Sequence, residues 1–213
     1  MKKIAAIIIS IAFTFSAMAQ SGGAPEGFGG PRLASVGISI GYYSPSLDYW
    51  KNRTSYDLGG SILPSLQIDA ALFPYVNARL SAGYFSTSAE ITRLESWGSE
   101  KIGLTLVPVS LSLYAPLNAD AFTFYAGGGV DLTAITANYD SPASSQKGTG
   151  STTTAHFLLG AERAFSNYAI GFEGKYVLGK YKQNLDFTGS GTPSMEEVSL
   201  NGIYAGISLK YRF

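Results

Sequence analysis

A chain of 213 residues with 46% apolar, 13% aromatic and only 14% charged side chains lies well below the roughly 25% charge of soluble domains. Its 15 basic and 15 acidic residues leave no net charge to steer nucleic acid. The absence of cysteine excludes disulfide scaffolds, thiol nucleophiles and zinc-cysteine sites, and a single histidine leaves little for a metal centre.

The N-terminus reads as an address. Lys2 and Lys3 precede an apolar run from Ile4 to Phe15, and Ser16-Ala17-Met18-Ala19 ends in the small-x-small pattern of a secretory signal. Residues 1–19 are therefore expected to be a signal peptide, cleaved between Ala19 and Gln20. The run is shorter than the roughly 20 apolar residues of a membrane helix. Residues 20–32, rich in Gly and Pro, read as a flexible leader, which leaves 33–213 as one folded domain.

Beyond the leader, apolar residues recur at every second position. Ala34, Val36, Ile38, Ile40 and Tyr42 share one face, against Ser35, Gly37, Ser39, Gly41 and Tyr43 on the other. Comparable segments follow at Ile62–Phe73, Ala78–Ala89, Ile102–Ala115, Ala121–Ala137, Thr152–Arg163, Tyr168–Tyr181 and Val198–Phe213. These eight strands suffice for the roughly 9 to 11 residues that a tilted strand needs to cross a bilayer. The fourth changes phase, with Ile102, Leu104 and Leu106 on one parity and Val107, Val109, Leu111 and Leu113 on the other. A β-bulge at Pro108 would restore it.

Connections alternate too. Short links at Pro74–Asn77, Pro116–Asp120 and Phe165–Asn167 alternate with long polar stretches at Ser44–Ser61, Glu90–Lys101, Asn138–Ser151 and Lys182–Glu197. Short turns on one side and long loops on the other are the habit of an outer-membrane barrel. Lipid offers no hydrogen bonds, so the sheet must close on itself with an apolar outside. The expected fold is an all-β, eight-stranded antiparallel up-and-down transmembrane β-barrel. Aromatics near the short turns, Phe73, Tyr75, Tyr114, Phe122, Phe165, Tyr168, Tyr211 and Phe213, would form one girdle, and Tyr42, Tyr84, Tyr139 and Tyr181 the other. Most strand charges share the inward parity: Asp69, Arg79, Asp131, Glu162, Glu173, Lys175, Lys210 and Arg212. An eight-stranded barrel is just wide enough for side chains to fill, so this set is expected to pair into a plug.

In the last strand Ile203, Ala205, Ile207, Leu209, Tyr211 and Phe213 alternate to the final residue. With this ending, and with Phe124–Asp131 and Val107–Leu113 in similar style, the mature chain resembles the small outer-membrane barrels of the OmpA transmembrane domain, OmpX and OmpW. The resemblance implies that Ile207, Leu209, Tyr211 and Phe213 signal to the barrel-assembly machinery. It also brings in small outer-membrane enzymes, but the His-x-Ser of the lipid A deacylases does not occur, since Phe157 and Leu158 follow His156. His156 shares parity with Thr154 and Glu162 and is expected inside as a hydrogen-bonded structural residue.

The expected protein is non-enzymatic and without cofactor or metal, acting structurally, in surface interaction or adhesion, or within an envelope assembly. Its long loops, with Trp50 and Trp97, are where contacts would form. The alternative is a porin-like or OmpW-like narrow passage or binding site for small molecules; an apolar ligand would need an apolar interior, against which the charged set speaks. A soluble lipocalin-type barrel would reverse the two faces. Expected partners are outer-membrane lipid and lipopolysaccharide, the assembly machinery and an unidentified extracellular or envelope protein, with no nucleic acid.

Overall fold

The structure, a computed structural model, describes residues 31–48, 58–73, 75–93, 98–142, 145–182 and 197–213. The signal and its cleavage site at Ala19 and Gln20, nearly all of the leader, and Trp50 and Trp97 lie outside the described residues. The chain forms β1 (Arg32–Pro45), β2 (Ser61–Phe73), β3 (Val76–Gly83), β4 (Phe85–Arg93), β5 (Gly98–Ala119), β6 (Phe122–Asp140), β7 (Ser145–Phe165), β8 (Tyr168–Leu178), β9 (Lys180–Lys182), β10 (Glu197–Ser199) and β11 (Gly202–Arg212).

Each ladder is antiparallel, and the sheet closes where β1 meets β11, from Ser35↔Arg212 to Pro45↔Gly202. β3 and β4 are two halves of one strand with Tyr84 between them. Both keep a single register on β5, from Ala82↔Val109 to Phe85↔Leu106. The ring is therefore eight strands, β1-β2-β3-β5-β6-β7-β8-β11. Closure leaves no unpaired edge in the hydrocarbon layer, which a spanning sheet requires. The two halves of the third strand differ in one respect. β3 pairs with β2 as far as Ser65↔Gly83, and a last backbone bond runs from Tyr84 N to Pro64 O at 3.1 Å. Pro64 has no N–H to continue the ladder, and among the described residues β4 is paired with β5 alone.

The short connections are two-residue turns: Phe73↔Val76, Ala119↔Phe122 and Phe165↔Tyr168 are the terminal pairs. Asp120 (φ 48°) and Ser166 (φ 53°) take the left-handed conformation that such turns demand. At the opposite end, two of the four expected long loops are largely strand. β4 and β5 pair as far as Arg93↔Gly98, and β6 and β7 as far as Asp140↔Ser145. β5, β6 and β7 are 22, 19 and 21 residues long, about twice what a bilayer crossing needs. Their outer halves, with β4, rise past the apolar belt as a four-stranded sheet.

The belt is on the outside. Ile38 is 58% exposed, Leu66 66%, Phe172 56% and Ile203 64%, a pattern that would be costly in water and is apt in lipid. Several expectations need correction. No bulge occurs at Pro108, because Val107↔Ala134, Pro108↔Thr133 and Val109↔Leu132 run without a shift. Even-numbered residues of β5 stay inside throughout, from Ile102 to Tyr114. What changes along the strand is the chemistry of the interior, apolar near the loops and polar towards the turns. Tyr114 and Tyr181, assigned above to the girdles, are buried inside, and Tyr139 packs against the interior apolar cluster.

Candidate functional site

The half of the interior nearer the turns is a chain of alternating charges. Lys210 Nζ lies 2.7 Å from Glu162 Oε2 and 3.1 Å from Asp69 Oδ2. Arg79 Nε donates to Asp69 Oδ1 at 2.6 Å, and Arg79 Nη1 donates to Glu173 Oε2. Lys175 Nζ completes the series 3.1 Å from Glu173 Oε1. Three cations alternate with three carboxylates, so the chain is neutral, and Ser35 and Tyr125 hydroxyls donate to Asp69 and Glu173 at 2.8 and 3.1 Å. The Arg79 guanidinium is flanked by the rings of Tyr114 and Tyr125, with centroids at 4.9 and 5.3 Å. Tyr125 extends over Gly160, where a Cβ would collide with its ring. Pairing of this quality is what makes buried charges tolerable, since a lone ion in low dielectric costs several kcal/mol or about that order.

Above this layer sits a second polar group. Ser112 Oγ and His156 Nε2 are 2.9 Å apart. His156 Nδ1 lies 2.9 Å from Asp131 Oδ1, in contact but out of line for a good hydrogen bond. Thr154 Oγ1 donates to Asp131 Oδ2 at 3.0 Å, and Ser110 also bonds to this carboxylate. The imidazole needs the space that Gly129 provides, because a Cβ there would meet His156 and Ser112.

The half nearer the loops is apolar. Phe85, Ile102, Leu104, Leu106 and Ile135 line the inner face of the projecting sheet, and Leu47, Leu58, Tyr181, Val198 and Leu200 cover them from the loop end. The cover is pinned to the wall. Tyr43 donates to Leu200 O at 2.5 Å, Ser46 N to Asn201 O at 2.7 Å and Leu47 N to Ser199 O at 3.2 Å. Outside the apolar cluster, Lys180 bonds Glu197 at 2.7 Å across the β9–β10 ladder and holds its carboxyl below the usual range. Between the apolar and polar layers is a cavity of about 60 Å³, with Phe85, Leu106 and Leu200 on one side and Ser110, Asp131, Thr154 and Lys175 on the other.

Six of the eight residues assigned to the interior network, Asp69, Arg79, Glu162, Glu173, Lys175 and Lys210, thus meet in one chain of contacts. Asp131 instead partners His156, and Arg212, expected with them, is exposed beside the last turn. Ile207, Leu209, Tyr211 and Phe213 all face outward, with Tyr168, Tyr211 and Phe213 stacked edge to face at 5.5 and 5.3 Å. Sequence reasoning missed the apolar half. Its signal lies in the parity of Ile102, Leu104 and Leu106, which from sequence alone reads as a slipped register. The objection to an apolar interior therefore holds for one half of the barrel only. Among the described residues no group of His, Cys, Asp and Glu could hold a metal ion.

No protein-family model and no curated protein matches the chain. Solved structures do. The outer membrane protein OprG from Pseudomonas aeruginosa superposes with a TM-score of 0.63 at 17% identity, covering 87% of this chain and 97% of that one. Neisserial surface protein A gives 0.54 at 12% identity, covering 88% and 100%. The chain has the fold of the small eight-stranded outer-membrane β-barrels.

Proposed function

We propose that the protein is exported by the signal ending at Ala19, spans the outer membrane as a closed barrel, and works from its surface and not through its interior. The observation that carries this is the doubly sealed lumen, charges paired towards the turns and an apolar core packed towards the loops. Among the described residues these two layers fill an interior that in an eight-stranded barrel is just wide enough for side chains. Work then falls to the sheet of β4 to β7 and to Trp50 and Trp97, which precede β2 and β5 in the sequence. In this reading the loop end faces the outside of the cell and both termini face the periplasm, among lipopolysaccharide and lipid at the belt. Among the described residues β4 pairs on one side only, and such edges recruit extended strands of other proteins. The role is surface interaction, adhesion or membership of an envelope assembly, without catalysis by the surface itself.

The test is photo-crosslinking on intact cells from positions 50 and 97 and from β4. Specific adducts to an envelope or extracellular protein are expected. Failure of these positions to be reached by a membrane-impermeant reagent from outside would refute the orientation and the role together.

A further inference from the structure

Two neighbouring features of the outer wall have no part in the sealed interior. The first is a hollow of about 830 Å³ in the apolar belt, lined by Ile38, Ile40, Leu66, Ala82, Ile207 and Leu209 on the adjacent strands β11, β1, β2 and β3. Tyr84 stands at its edge, 53% exposed. The wall of a closed barrel is convex, and the recess forms where Ala82 presents only a methyl group between Leu66 and Val109 of the flanking strands. Apolar side chains on the lipid side make this a seat for hydrocarbon.

The second feature begins two residues beyond Tyr84 on the same face. Ser86 pairs with Thr105, Thr105 with Thr136 and Thr136 with Thr149, so one row of hydroxyls crosses all four strands of the projecting sheet. The next row out is Ser88, Gly103, Asn138 and Lys147. Both rows face outward, because Phe85, Leu104, Leu106 and Ile135 hold the inward positions. A Cβ on Gly103 would meet nothing within 4 Å, and its ladders run without a shift. Neither packing nor a bulge calls for that glycine, and the remaining use of a strand glycine is close approach by a ligand. Lys147 has no ion-pair partner among the described residues, whereas Lys101 in the row above stands between Glu90 and Asp140.

Height and breadth restrict the occupant. A two-residue step on a tilted strand climbs roughly 5 Å, which sets the hydroxyl row in the polar layer flanking the hydrocarbon and the Lys147 row just above it. From Ser86 to Thr149 there are three strand spacings, about 14 Å, a breadth that suits a head of several sugars and exceeds the small head of a phospholipid. Hydroxyls and an amide can serve sugar hydroxyls, and an unpaired ammonium can serve a phosphate.

We propose that this face docks one molecule of a phosphorylated glycolipid, the lipopolysaccharide of the outer leaflet. An acyl chain lies in the hollow beside Tyr84, the sugars lie across the Ser86–Thr149 row with Asn138 in reach, and a phosphate of the head meets Lys147. The inference rests on the outward orientation proposed above. Binding in micelles tests the site without the orientation, and impermeant labelling of cells tests the orientation without the site, so the two can fail separately.

The experiment refolds the full-length mature chain in detergent micelles and titrates it with a rough lipopolysaccharide, lipid A with a short phosphorylated core, against phosphatidylglycerol. Native mass spectrometry reads the lipid retained. Wild type should keep one lipopolysaccharide per barrel in preference to phosphatidylglycerol. Thr105→Val with Thr136→Val, which preserves shape and removes two hydroxyls, should weaken retention about 10-fold. Lys147→Gln should weaken it for the phosphorylated form and leave dephosphorylated lipopolysaccharide unchanged. Ala82→Phe, which fills the hollow, should also weaken it, while Leu113→Phe elsewhere on the belt binds as wild type. Heat-modifiable gel migration identifies the folded variants. Phosphatidylglycerol held as well as lipopolysaccharide, a dimer of barrels without glycolipid, or unchanged retention in the folded double valine variant would overturn the proposal.

Discussion

Arg79 ties three strands together at one point: it is carried by β3, bonds Asp69 of β2 and Glu173 of β8, and lies against two tyrosine rings. Arg79→Ala removes one partner each from two carboxylates at 2% and 7% exposure, which keep Lys210 and Lys175, so the cost is at the lower end for breaking a buried pair, about 3 kcal/mol. Urea unfolding of refolded barrel in lipid vesicles should show a loss of that size, with Arg163→Ala at the exposed turn end near zero. Strand parity made most of these residues legible, since a charge among alternating apolar residues has only the lumen to enter. Tyr114 and Arg212 were misplaced because different rules govern the last turn. Tyr114 shares the inward parity of Ser110 and Ser112, and proximity to the girdle does not override parity. Arg212 has inward parity too, but the strand ends there and water can reach it. The Ser112–His156 contact was not legible at all, because the residues are 44 apart in sequence and only the β5–β6–β7 registers bring them together.

At the scale of strands, alternation marks a strand only where one face meets lipid. Above the belt the outer face meets water, and the outward positions become Ser86, Ser88, Thr105, Asn138 and Lys147. Composition there imitates a loop while the ladder continues through Asn138↔Lys147. The same change explains why β5 reads as slipped, since its inward residues turn apolar where they enter the capped core. The projecting tip of β6 and β7 is consequently an extension and not a support. Replacing residues 140–145 by Asn-Gly, a favoured two-residue hairpin turn, should leave the barrel folded, with unchanged heat-modifiable migration and urea midpoint. Loss of the folded band would show that the tip takes part in barrel assembly.

For the whole molecule, the low charge content and the alternation that replaces any second apolar block both follow from turning a sheet inside out: apolar side chains face lipid, and paired charges face inward. The interior adds a division that fold class alone does not imply, ions over one half and hydrocarbon over the other, with a small cavity between. Each layer seals the barrel by different physics. Ion pairing answers to charge neutralisation, and the apolar cover answers to packing. Closure is the claim on which the surface role rests. Its most direct measurement is single-molecule conductance of the refolded mature protein in planar bilayers, for wild type and for a variant combining Arg79→Ala with Leu200→Ala. The account predicts no steady open level in wild type and discrete openings only in the double variant. A stable ohmic channel in wild type, altered by Asp131→Ala or Arg79→Ala alone, would contradict it.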